Sequence, residues 1–165
     1  MRRSRLKQIG VGAAGITAAG ALAVQLVGGF EGLRLAAYKD VVGVWTACYG
    51  ETAGVKPGMK FSKAECDNML IGSIVKHESG MRQCLFLPDD IPIRSYVAFV
   101  SLTYNIGVNA FCNSTARKRL DAGDLRGACN AMMSWNKGGR PLRVIRGLTI
   151  RREAERKLCL EGLAH

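Results

Sequence analysis

Between Ile9 and Phe30 the chain runs for 22 residues without a charge, directly after Arg2, Arg3, Arg5 and Lys7. A helix of that length reaches about 33 Å, enough to cross a hydrocarbon core of about 30 Å. Its hydrophobicity is nevertheless poor, because 12 of the 22 residues are Gly or Ala and the run also holds Thr17 and Gln25. The basic flank keeps the N-terminus in the cytoplasm and sends the rest of the chain outside. Residues 1–30 therefore read as an N-terminal membrane-targeting segment, ahead of a folded part over 31–165. A permanent anchor fits the length, whereas Ala21-Leu22-Ala23 fits a signal-peptidase site.

Six cysteines, at positions 48, 66, 84, 112, 129 and 159, are spread through the folded part. None forms a Cys-x-x-Cys pair, which weakens zinc and thioredoxin-like readings. An even set of dispersed cysteines suits disulfides in an oxidising compartment, in agreement with export; buried free thiols are the alternative. At 165 residues the chain fits one domain or two small lobes.

The formal charge of +11 suits a polyanionic partner. From Asn136 onward Lys137, Arg140, Arg143, Arg146, Arg151, Arg152, Arg156 and Lys157 face only Glu153, Glu155 and Glu161. Nucleic acid is not expected, since only 7% of residues are aromatic and no alternation of aromatic and basic side chains occurs. His77 and His165 have no ligand-like spacing, so neither a metal nor another cofactor is expected. Ser101 and Ser114 lack a nearby histidine for nucleophilic catalysis.

Two acids stand out where the apolar run ends. Glycosidic hydrolysis needs one carboxyl held protonated to donate to the leaving oxygen, and another kept ionised to activate water or stabilise the sugar cation. Glu31 follows the uncharged run, where desolvation would favour its protonated form. Asp40 follows Lys39 and opens the more polar Val41-Val42-Gly43 stretch. Taken alone, two acids nine residues apart are ordinarily solvated surface charges.

The surrounding string changes that reading. Glu31-Gly32-Leu33-Arg34-Leu35, Ala37-Tyr38-Lys39-Asp40, Gly43, Thr46 and Tyr49-Gly50 resemble the active-site segment of the phage-type lysozymes, the muramidase family of phage endolysins. Asn105-Ile106-Gly107 with Ala110–Thr115, then Trp135–Gly139 and Gly147–Glu155, resemble two further blocks of that family. The similarity runs from about Phe30 to Glu161. Glu51 departs from it, standing where many members carry His, which bears on local packing and charge.

The resemblance implies an α+β, mostly helical, lysozyme-like fold, with a small β lobe and a larger helical lobe enclosing a cleft. It implies hydrolysis of the β-1,4 bond between N-acetylmuramic acid and N-acetylglucosamine in peptidoglycan, by a monomer, during host-cell lysis. Glu31 would be the general acid, with Asp40 and Thr46 activating and positioning water; Asn105 and Gly107 would lie near the cleft. An intervening water implies inversion and a carboxyl separation of about 6.5 to 9.5 Å. The rivals are a lytic transglycosylase using Glu31 alone, and a non-enzymatic cationic protein that binds membrane or wall.

Three disulfides are implied as well, Cys48 with Cys66, Cys84 with Cys112 and Cys129 with Cys159, among fifteen possible connectivities. For residues 9–30 the resemblance adds a third reading, a signal-anchor that holds the enzyme in the host inner membrane and later releases it to the periplasm. The family fold needs a helix ahead of the catalytic Glu, and cleavage after Ala23 would leave seven residues for it.

Locally, Asp40 to Phe61 reads as antiparallel β with hairpin turns. Ser62-Lys63-Ala64-Glu65 is a capping box for a helix over about 63–83. Pro88–Pro92 breaks the chain ahead of a buried helix over 93–104 that ends near Gly107. Helices follow over about 109–122, over 125–135 with Asp124 as N-cap, and over 150–161 with Thr149 as N-cap, with a loop at Lys137–Pro141.

Overall fold

The computed structural model describes residues 3–10 and 13–164; residues 1, 2, 11, 12 and 165 lie outside the described part, among them Arg2 of the basic flank and Val11 and Gly12 near the start of the apolar run. The chain divides into two compact units, residues 5–75 and residues 76–164 together with the N-terminal end. It is α+β and mostly helical, with two-stranded antiparallel sheets.

In the first unit the apolar run is shared among three elements. Strands β1 (Lys7–Gly10) and β2 (Ala13–Ile16) pair with Lys7 opposite Ile16. Helix α1 (Ala18–Glu31) then starts at Thr17, whose hydroxyl caps it by accepting from the Gly20 N–H at 3.0 Å. A capping threonine and six glycines make a single 22-residue helix unfavourable away from lipid. Among the described residues no helix is long and apolar enough to cross a membrane.

Close packing explains two of the α1 glycines. A Cβ on Gly20 would stand 2.1 Å from the Leu6 carbonyl oxygen, and one on Gly28 would stand 2.9 Å from the Tyr49 ring. Ala23, Val24 and Val27 are buried on α1, as are Leu70, Ile71 and Ile74 on α2 (Lys63–Gln83). The capping box is met in both directions: the Glu65 N–H donates to the Ser62 hydroxyl at 3.1 Å, and the Ser62 N–H donates to the Glu65 carboxylate at 2.6 Å. Helix α2 carries the chain into the second unit.

Strands β3 (Arg34–Lys39) and β4 (Trp45–Cys48) form a hairpin that begins six residues before the expected stretch Asp40–Phe61 and ends well short of it; beyond Cys48 that stretch holds isolated bridges, Ala36 with Lys60 and Ala47 with Glu51, rather than strands. Cys48 closes β4 with φ at 58°, a conformation that costs a non-glycine residue about 1–2 kcal/mol. Its bond to Cys66 at the start of α2 holds it there.

The second unit is built on α3 (Ile93–Ile106), whose residues from Ser95 to Thr103 are all buried. Around it lie α4 (Val108–Cys112), α5 (Thr115–Asp121), α6 (Leu125–Ala131) and α7 (Arg146–Glu161). The single helix expected over 109–122 is two helices. Ser114 interrupts it because its hydroxyl takes the Arg117 N–H at 3.1 Å and starts α5 as an N-cap. Asp124 caps α6 as expected, accepting from Gly127 at 2.8 Å, but regular helix stops at Ala131 and a 3-10 turn continues to Trp135.

Thr149 is not the N-cap of the last helix. It lies inside α7, which begins at Arg146, and its hydroxyl donates to the Ile145 carbonyl at 3.3 Å while accepting from the Asn136 amide at 3.2 Å. The expected loop after Asn136 is a tight hairpin, with β5 (Lys137–Gly138) paired to β6 (Arg143–Val144). The helical unit holds the Cys84–Cys112 and Cys129–Cys159 bonds, so all three cysteine pairs are those expected.

Candidate active site

Glu31, Asp40 and Thr46 all lie in residues 5–75, on the end of a helix and on one hairpin. Glu31 is the last residue of α1. The helix stops there because Gly32 takes a φ of 76° and returns its N–H to the Gly28 carbonyl at 3.1 Å. The expectation that the apolar run would desolvate Glu31 is not met, since its side chain is exposed. The run buries one face of α1, through Ala23, Val24, Val27 and Gly28, and Glu31 falls beyond it.

Asp40 opens the turn between β3 and β4. Its carbonyl accepts the Gly43 N–H at 3.0 Å, and Gly43 has a φ of 82°. One carboxylate oxygen, Oδ1, accepts the Val42 N–H at 3.0 Å and the Val44 N–H at 2.8 Å. These bonds fold the turn around the side chain and fix its direction, and no hydrogen bond within the turn engages the other oxygen.

Thr46 follows on β4 and is 4% exposed. Its hydroxyl donates to the Val44 carbonyl at 3.0 Å. The peptide groups of Val44 therefore serve both candidates, the N–H holding Asp40 and the C=O orienting Thr46. Sequence reasoning overlooked Val44, although Asp40-x-x-Gly43 carries the spacing of such a turn. An acidic group at a helix end, a backbone-held carboxylate and a buried hydroxyl are the kinds of group that water-using acid–base chemistry requires.

The neighbouring support is polar and local. The Tyr49 hydroxyl donates to Asp67 at 2.6 Å, and Lys63 donates to the other Asp67 oxygen at 2.6 Å. Burial alone would raise the Asp67 pKa, but the two hydrogen bonds outweigh it and hold the carboxyl below its ordinary range. These residues line a cavity of about 480 Å³ along α1, with Val24, Gly28 and Leu33 on its apolar side. Glu51 exchanges both backbone hydrogen bonds with Ala47, each 2.9 Å, closing the turn around Gly50.

The remaining candidates belong to the other unit. Asn105 is exposed in the last turn of α3. Gly107 ends that helix with a φ of 92° and donates to the Thr103 carbonyl at 2.8 Å. His77 packs on the Tyr104 ring with centroids 4.9 Å apart.

Residues 28–155 match the family model for phage lysozyme. The chain is 37% identical over 135 residues to the SAR-endolysin of bacteriophage PS119, covering 81% of this chain and 78% of that one. It is 35% identical over 175 aligned positions to the SAR-endolysin of Escherichia phage 933W, covering 97% and 98%. Among solved structures it resembles the active form of the P1 phage endolysin Lyz, with a TM-score of 0.74, 30% identity, and 89% and 85% of the two chains covered. The chain belongs to the phage lysozyme family. It is a glycoside hydrolase of the lysozyme type that opens peptidoglycan in host-cell lysis.

Proposed function

We propose that Glu31 is the general acid for cleavage of the bond between N-acetylmuramic acid and N-acetylglucosamine, and that Asp40 and Thr46 hold and activate the attacking water. The observation that carries this reading is the double backbone hold on one Asp40 oxygen, which leaves the other to meet a ligand. A buried Thr46 hydroxyl, oriented by the Val44 carbonyl, suits a second contact to that water. Displacement by water from the face opposite the leaving oxygen inverts the anomeric centre.

Residues 9–30 act as a signal-anchor, and the enzyme works in the periplasm once they leave the inner membrane, as a monomer. Two features support this. The SAR-endolysin similarity to phage 933W spans nearly the whole chain, and Glu31 is the terminal residue of a helix made from the same segment. While residues 18–30 lie in lipid, α1 cannot pack and Glu31 sits at the membrane face, so the tethered form is inactive.

Purified peptidoglycan digested by the wild type should yield a new reducing muramic end by mass analysis. Glu31→Gln and Asp40→Asn should each fold, by circular dichroism, and lower cleavage at least about a hundredfold. An anhydro-sugar product, or normal turnover in either variant, overturns the assignment.

A further inference from the structure

Residues 140–146, the turn of the β5–β6 hairpin and its second strand, lie between the family-like stretches 135–139 and 147–155, and the proposed reaction gives them no part. The base of the hairpin is fixed. Lys137 pairs with Val144 and Gly138 with Arg143, and the Ile145 N–H donates to the Asn136 carbonyl at 2.9 Å. Ile145 packs on Gly138, where a Cβ would stand 2.7 Å from its terminal carbon. All residues from 139 to 147 are nevertheless exposed.

Two properties coincide on this hairpin. Leu142 is 73% exposed and Val144 60%, aliphatic side chains held in water on either side of Arg143 in the sequence. Lys137, Arg140, Arg143 and Arg146 add four exposed cations within ten residues, and no acid occurs between Asp124 and Glu153. Among the described residues none of these four forms an ion pair, whereas the exposed Arg94 and Arg119 pair with Glu161 at 2.9 Å and with Asp124 at 2.6 Å. Like charges this close repel one another until an anionic partner meets them.

We infer that this hairpin docks the folded enzyme on an anionic phospholipid surface. The partner follows from the pairing of charge with exposed aliphatic carbon: phosphates meet the cations, and Leu142 and Val144 enter the boundary between headgroups and acyl chains. A peptidoglycan strand offers carboxylates to the cations but no apolar layer to the two aliphatic side chains. Docking is separate from anchoring by residues 9–30, an uncharged run that enters lipid without regard to headgroup charge. It goes beyond the hydrolysis proposed above, and the roles of Glu31, Asp40 and Thr46 do not depend on it.

The test is co-sedimentation of the purified full-length chain with vesicles rich in phosphatidylglycerol, against phosphatidylcholine vesicles as the neutral reference. The wild type should bind the anionic vesicles at least about a hundredfold more tightly, and added salt should weaken that binding. Each basic side chain near an anionic surface is worth about fivefold, so Arg140→Gln, Arg143→Gln and Arg146→Gln together should weaken binding about a hundredfold. The same three changed to Lys should stay within about threefold of the wild type, because a lipid surface reads charge rather than a bidentate fork. Leu142→Ser with Val144→Ser should weaken binding about tenfold. Lys118→Gln, Arg126→Gln and Lys157→Gln together remove the same charge from exposed positions on α5, α6 and α7, and should cost less than about fivefold. All variants should fold by circular dichroism. Wild type and hairpin Arg→Gln protein bound equally, or the wild type bound as tightly to neutral vesicles, leaves membrane contact to residues 9–30 and overturns the docking. Equal losses for the two neutralised triples, or none for the Leu142 and Val144 pair, overturn it too. So does an Arg→Gln protein that loses binding to purified peptidoglycan sacculi and keeps its vesicle binding, which gives the hairpin to the wall.

Discussion

Residues 5–75 and residues 76–164 hold their structure by different means. The second unit has a conventional interior: nine consecutive buried residues on α3, with the Phe99 and Phe111 rings 6.3 Å apart. Even its buried charges are matched, with Arg152 2.7 Å from Glu155 and the Ser101 hydroxyl on the same carboxylate. In the first unit the large buried side chains of the two helices lie on α2, and α1 buries only Gly, Ala and Val. Its α1 approaches its neighbours through Gly20 and Gly28, and its hairpin is fixed by turn hydrogen bonds and one disulfide. On the signal-anchor proposal the α1 segment must suit lipid at one time and a protein surface at another, which favours small side chains over large, shape-specific ones. The three candidate catalytic residues lie in this unit.

The largest expected stability effect lies in the helical unit. Phe99→Ala should cost about 3–5 kcal/mol in urea unfolding, whereas Val27→Ala on α1 should lose about 1.6 kcal/mol of transfer free energy. Equal losses would remove the contrast. Next comes the Cys48–Cys66 bond, which closes a separation of 18 residues. Replacing both cysteines by serine should lower stability by about 3 kcal/mol and depress lytic activity more than the matching change at Cys84 and Cys112; a reversed order in melting and activity assays would contradict the placement of the weak point.

Gly28→Leu and Gly29→Leu sharpen the comparison further, since both raise the hydrophobicity of the anchor equally. A side chain at Gly28 meets Tyr49, whereas one at Gly29 meets nothing within 4 Å. Both should increase membrane retention, but of the protein recovered in the soluble fraction only Gly28→Leu should show a lowered melting temperature and activity. Indistinguishable soluble proteins would mean that close approach of α1 is unimportant.

The smallest effect is a pH dependence. Because Asp67 has a folded pKa below the ordinary 3.8, its contribution is present above that value and is lost as pH falls through the folded one. Its ion pair with Lys63 is partly exposed, so the contribution is below about 1 kcal/mol. Unfolding free energies of the wild type and Asp67→Asn should converge as pH falls from the ordinary carboxylate value through the lower folded one; a constant gap would exclude the linkage.

Several elements were legible in the chain because their signals are local. The Ser62–Glu65 capping box and the Asp124 cap depend on contacts three residues away, and both appear as expected. Thr149 misled because a threonine inside a helix can return its hydroxyl to the carbonyl four residues back. The break at Asn113-Ser114 was written in capping residues. For the candidate site, the identities and spacing of Glu31, Asp40 and Thr46 could be read directly, since they lie within one short string. Glu31's exposure could not, because desolvation depends on which face of α1 the fold covers.

The amino-acid order by itself determined the hairpin after Glu31 and the close spacing of Glu31, Asp40 and Thr46, because each rests on neighbours along the chain. Only tertiary structure decided which cysteines meet, how the Val44 peptide groups tie Asp40 to Thr46, and that Ser4 reaches Glu78 across 74 positions of sequence. Such contacts depend on the folded path of the backbone, and a buried carboxylate or thiol selects its partner by distance and geometry rather than by separation along the sequence.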